Sequence, residues 1–184
     1  ATNSINYAGT VGYEHYPLGG SFKNILFQTD FKSFHNSVIN EGFSADSTVY
    51  AASKLATSYT KLAPSILFAF RERERNSTIE RTLLLKSYFI QEQQFNYPID
   101  ITDGIYKPYV TNGKTNFYGS IRYDFKDRRS FNPYSFFVEG QGGQSFLKLS
   151  VEGNIRLDYN KKNKALYVRG FAGKFFNLND EDNS

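Results

Sequence analysis

The two histidines, His15 and His35, are the only side chains whose ordinary pKa suits proton transfer near neutral pH. No spacing links either one to a carboxylate cluster on a helix, so both read as lone surface or loop residues rather than ligands. The chain has no Cys, which excludes a disulfide framework and thiolate-ligated metal sites and leaves the redox compartment open. Gly113-Lys114-Thr115 imitates the end of a phosphate-binding loop. That loop needs a glycine five residues before Gly113, and Pro108 stands there. No Gly-x-Ser-x-Gly nucleophile elbow occurs. The residue types therefore offer no catalytic set, no cofactor and no metal site.

Charge is the next place to look for chemistry. Arg71-Glu72-Arg73-Glu74-Arg75 is the densest run. On a strand it would put three arginines on one face and two glutamates on the other. It reads as a solvated strand end, with an anion-holding rim as the functional alternative. Asn76-Ser77-Thr78 fits a glycosylation sequon, a pattern too short to weigh much. Asp180-Glu181-Asp182 reads as part of an acidic soluble loop rather than a cation site. The 22 Lys+Arg against 18 Asp+Glu give a net charge of +4, too small and too evenly spread for a nucleic-acid partner.

The elements that must position these residues are strands. From Phe146 to Asn160, Leu147, Leu149, Val151, Gly153, Ile155, Leu157 and Tyr159 alternate with Phe146, Lys148, Ser150, Glu152, Asn154, Arg156, Asp158 and Asn160. Period-2 alternation marks a strand with unlike faces, whereas helical period would scatter the charges all round a cylinder. From Asn116 to Lys126, Phe117, Gly119, Ile121, Tyr123 and Phe125 oppose Tyr118, Ser120, Arg122, Asp124 and Lys126. Ile25, Phe27, Thr29 and Phe31 repeat the pattern within Phe22–Phe34, as do Ile5, Tyr7, Gly9, Val11 and Tyr13 at the start. Less regular strands are expected near 46–59, 65–74, 79–92, 134–141 and 164–176, for a total of about nine.

Turn chemistry separates them. Lys61-Leu62-Ala63-Pro64 reads as a break, because proline cannot donate to a ladder. Asn160-Lys161-Lys162-Asn163 and Gly140-Gln141-Gly142-Gly143 read as further turns. Residues 93–113, with Pro98 and Pro108, read as a long surface loop. No linker, heptad or fixed-period repeat divides the chain, so 1–184 is expected to be one barrel domain or barrel segment.

The fold class expected is all-β, an antiparallel meander forming a transmembrane β-barrel or part of a larger one. The longest strongly apolar run, Ile66 to Phe70, is far short of the roughly 20 residues of a spanning helix. A barrel needs only one apolar face per strand, so the negative mean hydropathy is no objection. Strands at Phe22–Phe34 and Phe146–Tyr159 exceed the usual length of about 5–6 residues and suit the about 9–11 of a membrane crossing. Aromatics are plentiful, with 14 Tyr and 18 Phe; Tyr123, Phe125, Tyr134, Phe136, Tyr159 and Phe175 stand near the ends of apolar faces, as interfacial girdles do.

On this reading Phe117, Ile121, Leu147, Leu149, Val151, Ile155 and Leu157 face lipid. Arg122, Asp124, Lys148, Glu152 and Arg156 face the lumen. The same alternation also fits a soluble barrel or sandwich enclosing an apolar ligand. Two features fit a bacterial single-chain barrel poorly: an odd strand count, and two short connections in succession near 61–64 and 75–78.

His15-Tyr16-Pro17-Leu18, Lys61-Leu62-Ala63-Pro64-Ser65, Phe146-Leu147-Lys148-Leu149-Ser150-Val151-Glu152, Tyr159 to Lys164 and Arg169-Gly170-Phe171-Ala172-Gly173-Lys174-Phe175 together carry a resemblance. They resemble the C-terminal barrel-like region of large Bacteroidetes envelope proteins, some of which carry a gluzincin-like metallopeptidase region earlier in the chain. The resemblance implies the bacterial outer membrane, with the bilayer, other envelope proteins or the rest of a larger chain as partners. It implies a non-catalytic anchor or transport component, or the barrel part of an outer-membrane peptidase. No His-Glu-x-x-His is present, so no peptidase role falls on any residue here. Met is absent even at position 1, which predicts a processed or excised segment, and Asn177 to Ser184 reads as an acidic loop beginning rather than a terminal strand, which predicts part of a larger barrel.

Overall fold

A computed structural model describes residues 6–43, 49–74, 76–96, 109–159 and 164–178. The described residues contain strands and no helix. The eight strands are β1 (Tyr7–His15), β2 (Phe22–Phe43), β3 (Val49–Phe70), β4 (Ile79–Asn96), β5 (Tyr109–Asp127), β6 (Tyr134–Gly143), β7 (Phe146–Asp158) and β8 (Ala165–Asn177). They form one antiparallel meander in which each strand lies beside its sequence neighbour, and β1 and β8 stand at the two ends of the order. The sheet is open: among the described residues no pairing joins its two ends. β2 and β3 run for 22 residues each, β4 for 18 and β5 for 19.

The chain folds into two compact units. One comprises Ala1–Thr10, Asp30–Leu62 and Phe89–Asn116, and the other Val11–Thr29, Ala63–Tyr88 and Phe117–Ser184. In the first, the Phe31 ring covers Gly9 and lies 6.5 Å from the Tyr7 ring. Thr10 Oγ1 donates to Asp30 Oδ1 at 3.0 Å, and the Ser58 amide donates to Gln93 Oε1 at 3.0 Å.

The second unit contains β6, β7 and β8, and its register is fixed by i + j pairing. Phe125 pairs with Phe136, Tyr123 with Val138, Val138 with Val151, and Val151 with Ala172. Directly opposed residues share a face, so these rows continue the apolar alternation from β5 to β8.

Several expectations are corrected. The described residues form eight strands rather than about nine, because Lys61-Leu62-Ala63-Pro64 lies inside β3. Proline's fixed φ is compatible with extended backbone, and it removes a ladder donor without ending the strand. Gly140 to Gly143 is the end of β6, not a turn; the connection to β7 is residues 144–145. The 93–113 loop shrinks as well, since β4 runs to Asn96 and β5 begins at Tyr109. Arg71 to Glu74 follow the end of β3 in the connection to β4, so they form no alternating strand face. His15 and His35 both lie in strands, and His35 is not a loop residue. Gly113-Lys114-Thr115 is part of β5. The Asn160–Asn163 turn, Asp180-Glu181-Asp182, Ile5 and Arg75 lie outside the described residues.

Candidate functional site

The distinctive surface of the second unit is the two-faced sheet β5–β8. On one face, Phe117, Ile121, Leu147, Leu149, Val151, Ile155 and Leu157 are 37% to 58% exposed. Val138 and Phe136 of β6, and Leu166 and Val168 of β8, extend the face and are exposed too. Among the described residues Ala63 is the single buried hydrophobic side chain, and no large side chain is fully buried.

Glycines shape this face. Gly140 pairs with Leu149 and Gly142 with Leu147. A Cβ on Gly140 would lie 3.5 Å from Leu149 Cδ2, and one on Gly142 3.6 Å from Leu147 Cδ1. The leucine side chains thus reach over backbone that carries none of its own. Near the turns, rings contact in series. Phe125 stacks on Phe136 at 5.2 Å and on Tyr134 at 5.6 Å, and Tyr123 lies 6.4 Å from Phe136. Phe70 lies 6.5 Å from Tyr123 and 5.4 Å from Phe22.

The opposite face is polar. Arg122 grips Asp124 through Nε and Nη2, both at 2.8 Å, and its guanidinium lies 3.9 Å from the centre of the Phe137 ring. Its cross-strand partner is Glu139, which accepts a bond from Gln141 at 2.8 Å. Glu152, 14% exposed, takes two bonds from Arg169 at 2.8 Å and a third from Asn154 at 3.2 Å. Arg156 pairs with Asp158 at 2.7 Å, Lys148 is exposed opposite Phe175, and Ser120 and Ser150 are buried between them. Arg122, Asp124, Lys148, Glu152 and Arg156 therefore share the face opposite the apolar rows.

Aromatics also occupy this polar face, among them Phe175, which the sequence places at the end of an apolar face; the pairing with Lys148 corrects that expectation, and the other rings here carry no role in the sequence pattern. Tyr88 stacks on Tyr118 at 4.4 Å, Tyr118 meets Phe146 at 6.1 Å, and Phe146 stacks on Phe175 at 5.6 Å. Gly143 sits opposite Tyr118 in the middle of this series. Tyr167 and Phe171 lie on the same face of β8 and are 73% and 65% exposed. Their even or odd positions in otherwise polar rows were the available signal.

One end of the unit is tied together by its turns. Arg71 anchors the 16–21 connection, its amide donating to Ser21 O and its Nη2 to Pro17 O, each at 2.8 Å. The Arg128 amide donates to Thr78 O at 2.8 Å, and Thr78 Oγ1 donates to Asp127 Oδ1 at 2.7 Å. Asp127 also accepts from the Arg129 amide and guanidinium, which holds the Arg129 pKa above its ordinary value. Asn132, at φ 52°, exchanges bonds with Asp158: its amide donates to Asp158 Oδ2 at 3.0 Å and its Oδ1 accepts from the Asp158 amide at 2.8 Å. Glu72 and Arg81 form a two-bond pair at 2.7 and 3.2 Å across the 71–78 connection.

The arrangement sets exposed apolar rows on one face of β5–β8 and ion-paired charges on the other. Among the described residues no three His, Cys, Asp or Glu groups converge as a metal site would require. No helix among them is long and apolar enough to cross a membrane, which says nothing of strands. No family model, curated protein or solved structure matches the chain.

Proposed function

We propose that this chain is a membrane-embedded β-sheet, all or part of an outer-membrane β-barrel, serving as an anchor or as a transport component without catalysis of its own. One observation carries the reading: the apolar rows of β5–β8 are exposed while the opposite face carries the ion pairs Arg122–Asp124, Arg156–Asp158 and Arg169–Glu152. A soluble sheet gains its stability by covering the apolar face, with about 1.5–3 kcal/mol at stake for each large aliphatic side chain. A bilayer supplies that cover from outside, and strands paired to their neighbours leave few backbone groups bare within it. Strands of 18 to 22 residues are ample for the crossing. The count of eight described strands is even, as in bacterial single-chain barrels. The ring series near the turns supports an interfacial girdle. The resemblance to Bacteroidetes envelope proteins points to the same membrane.

The test is partition of the purified chain into phosphatidylcholine bilayers with retention of β-type circular dichroism. A fluorophore at position 151 is expected to be quenched by lipid-chain quenchers, and one at position 152 by aqueous iodide. Val151→Arg is expected to weaken assembly by about 2–4 kcal/mol if Val151 lies near mid-bilayer, and Glu152→Ala to have a small effect. A detergent-free soluble monomer, or equal tolerance of the two substitutions, would sink the proposal and favour a soluble binding protein.

A further inference from the structure

We infer that the polar face, beside the connection between β5 and β6, holds a binding groove for phosphate-type anions. The groove has a volume of about 600 Å3, and its wall carries Lys126, Arg128, Arg129, Arg156 and Arg169 against one carboxylate, Asp127.

Register explains how the cations converge. Lys126 pairs with Ser135, Ser135 with Asn154, and Asn154 with Arg169. One transverse row therefore presents an ammonium, a hydroxyl, an amide and a guanidinium in turn. Three strand spacings make it about 14 Å from end to end. Arg156 and its cross-strand partner Tyr167 stand in the next row on the same face.

The arginines are held in place and still accessible. Arg128 is pinned by Glu80, Arg156 by Asp158 and Arg169 by Glu152, while each remains 45% to 69% exposed. None of these three carboxylates lines the groove. A guanidinium has five N–H donors, and a two-bond pair with one carboxylate leaves the rest for a second anion. Arg169 spends Nε and Nη2 on Glu152, so donors remain on Nη1. Lys126 is exposed and makes no ion pair among the described residues. Tetrahedral oxyanions with several acceptors match this mixture of fixed forks, a mobile ammonium and neutral donors. Chloride, a single spherical charge, matches it poorly.

Phosphate chemistry reaches such a groove either as a free ion or as a lipid headgroup, and two arms separate the sources. In the first, the full chain in zwitterionic detergent is titrated calorimetrically with inorganic pyrophosphate, with sodium chloride at matched ionic strength as control. In the second, flotation is compared on phosphatidylcholine vesicles with and without phosphatidylglycerol. Binding in the first arm assigns a soluble phosphate ligand. Phosphatidylglycerol-dependent flotation without pyrophosphate binding assigns a headgroup. Lys126→Glu is expected to lower either affinity at least tenfold. Lys174→Gln, on the opposite face of the sheet, is expected to leave it unchanged. Lys126→Gln, with circular dichroism as a folding check, gives a milder loss and guards against a misfolded charge reversal. Neither pyrophosphate binding nor a phosphatidylglycerol response, equal competition by chloride, or equal losses from Lys126→Glu and Lys174→Gln would overturn the inference. Insertion into neutral bilayers is read separately, so failure of this groove leaves the membrane proposal standing and the reverse.

Discussion

Gly143 acts through the atoms it lacks. A Cβ there would stand 2.9 Å from Phe146 Cε1, 3.2 Å from Tyr118 Cβ and 3.3 Å from the Phe117 carbonyl oxygen. The first could yield by a ring movement, but the other two are held by the ladder. At Gly140 the nearest neighbour of a Cβ is a leucine methyl at ordinary contact distance. Gly143→Ala is therefore expected to destabilise the sheet by about 1–3 kcal/mol, the usual range for forced overpacking. Gly140→Ala should cost markedly less. Urea titration of the two variants in the same detergent checks the ranking, and equal midpoints would contradict it. Both glycines fall in the stretch read from sequence as a turn. Glycine signals a tight bend and a close side-chain approach alike, and only the strand across the ladder distinguishes them.

Legibility varied between elements for physical reasons. The described parts of β5 and β7 followed from alternation, since each has one polar and one apolar row. β8 was harder because Tyr167, Phe171 and Phe175 add apolar rings to its polar face. Pro64 makes β3 read as two strands, although its missing donor costs a ladder bond without forcing a bend. The charged run after Phe70 alternates as a strand would, yet Arg71 and Glu72 are spent on holding neighbouring connections. None of the long-range bonds at that end follows from local pattern. The exposed apolar side chains and the paired polar face could be assigned to opposite faces from sequence, while the anion groove could not, because its row takes one residue from each of four strands.

The Asn132–Asp158 exchange is a reciprocal pair among those long-range ties. Asn132 carries the one positive φ among the described non-glycine residues, and asparagine tolerates that region better than most. Asn132→Ala loses a hydrogen bond to the Asp158 amide and adds backbone strain, with an expected cost of about 1–3 kcal/mol. Asn132→Gly relieves the strain and should recover part of it. Thermal melting of both variants tests the order, and an alanine variant as stable as the glycine one would refute the strain component.

At the scale of the whole molecule, the interior supplies little of the usual driving force. Ala63 alone, among the described residues, is an apolar side chain hidden from the surroundings. Ordinary soluble domains gain heat capacity on unfolding because hidden hydrocarbon becomes wet, by about 12–15 cal/mol/K per residue. For 184 residues that would be about 2–3 kcal/mol/K. On the membrane proposal the hydrocarbon already lies outside, and side chains that stay in a micelle when the ladder breaks are never wetted. Scanning calorimetry in detergent is expected to give less than half the ordinary value, and a full-sized increment would mean that the sheet hides its oily side after all. With so flat a stability curve, chilling should weaken this protein less than it weakens ordinary domains, and its melting point should follow the length of the surrounding detergent tails.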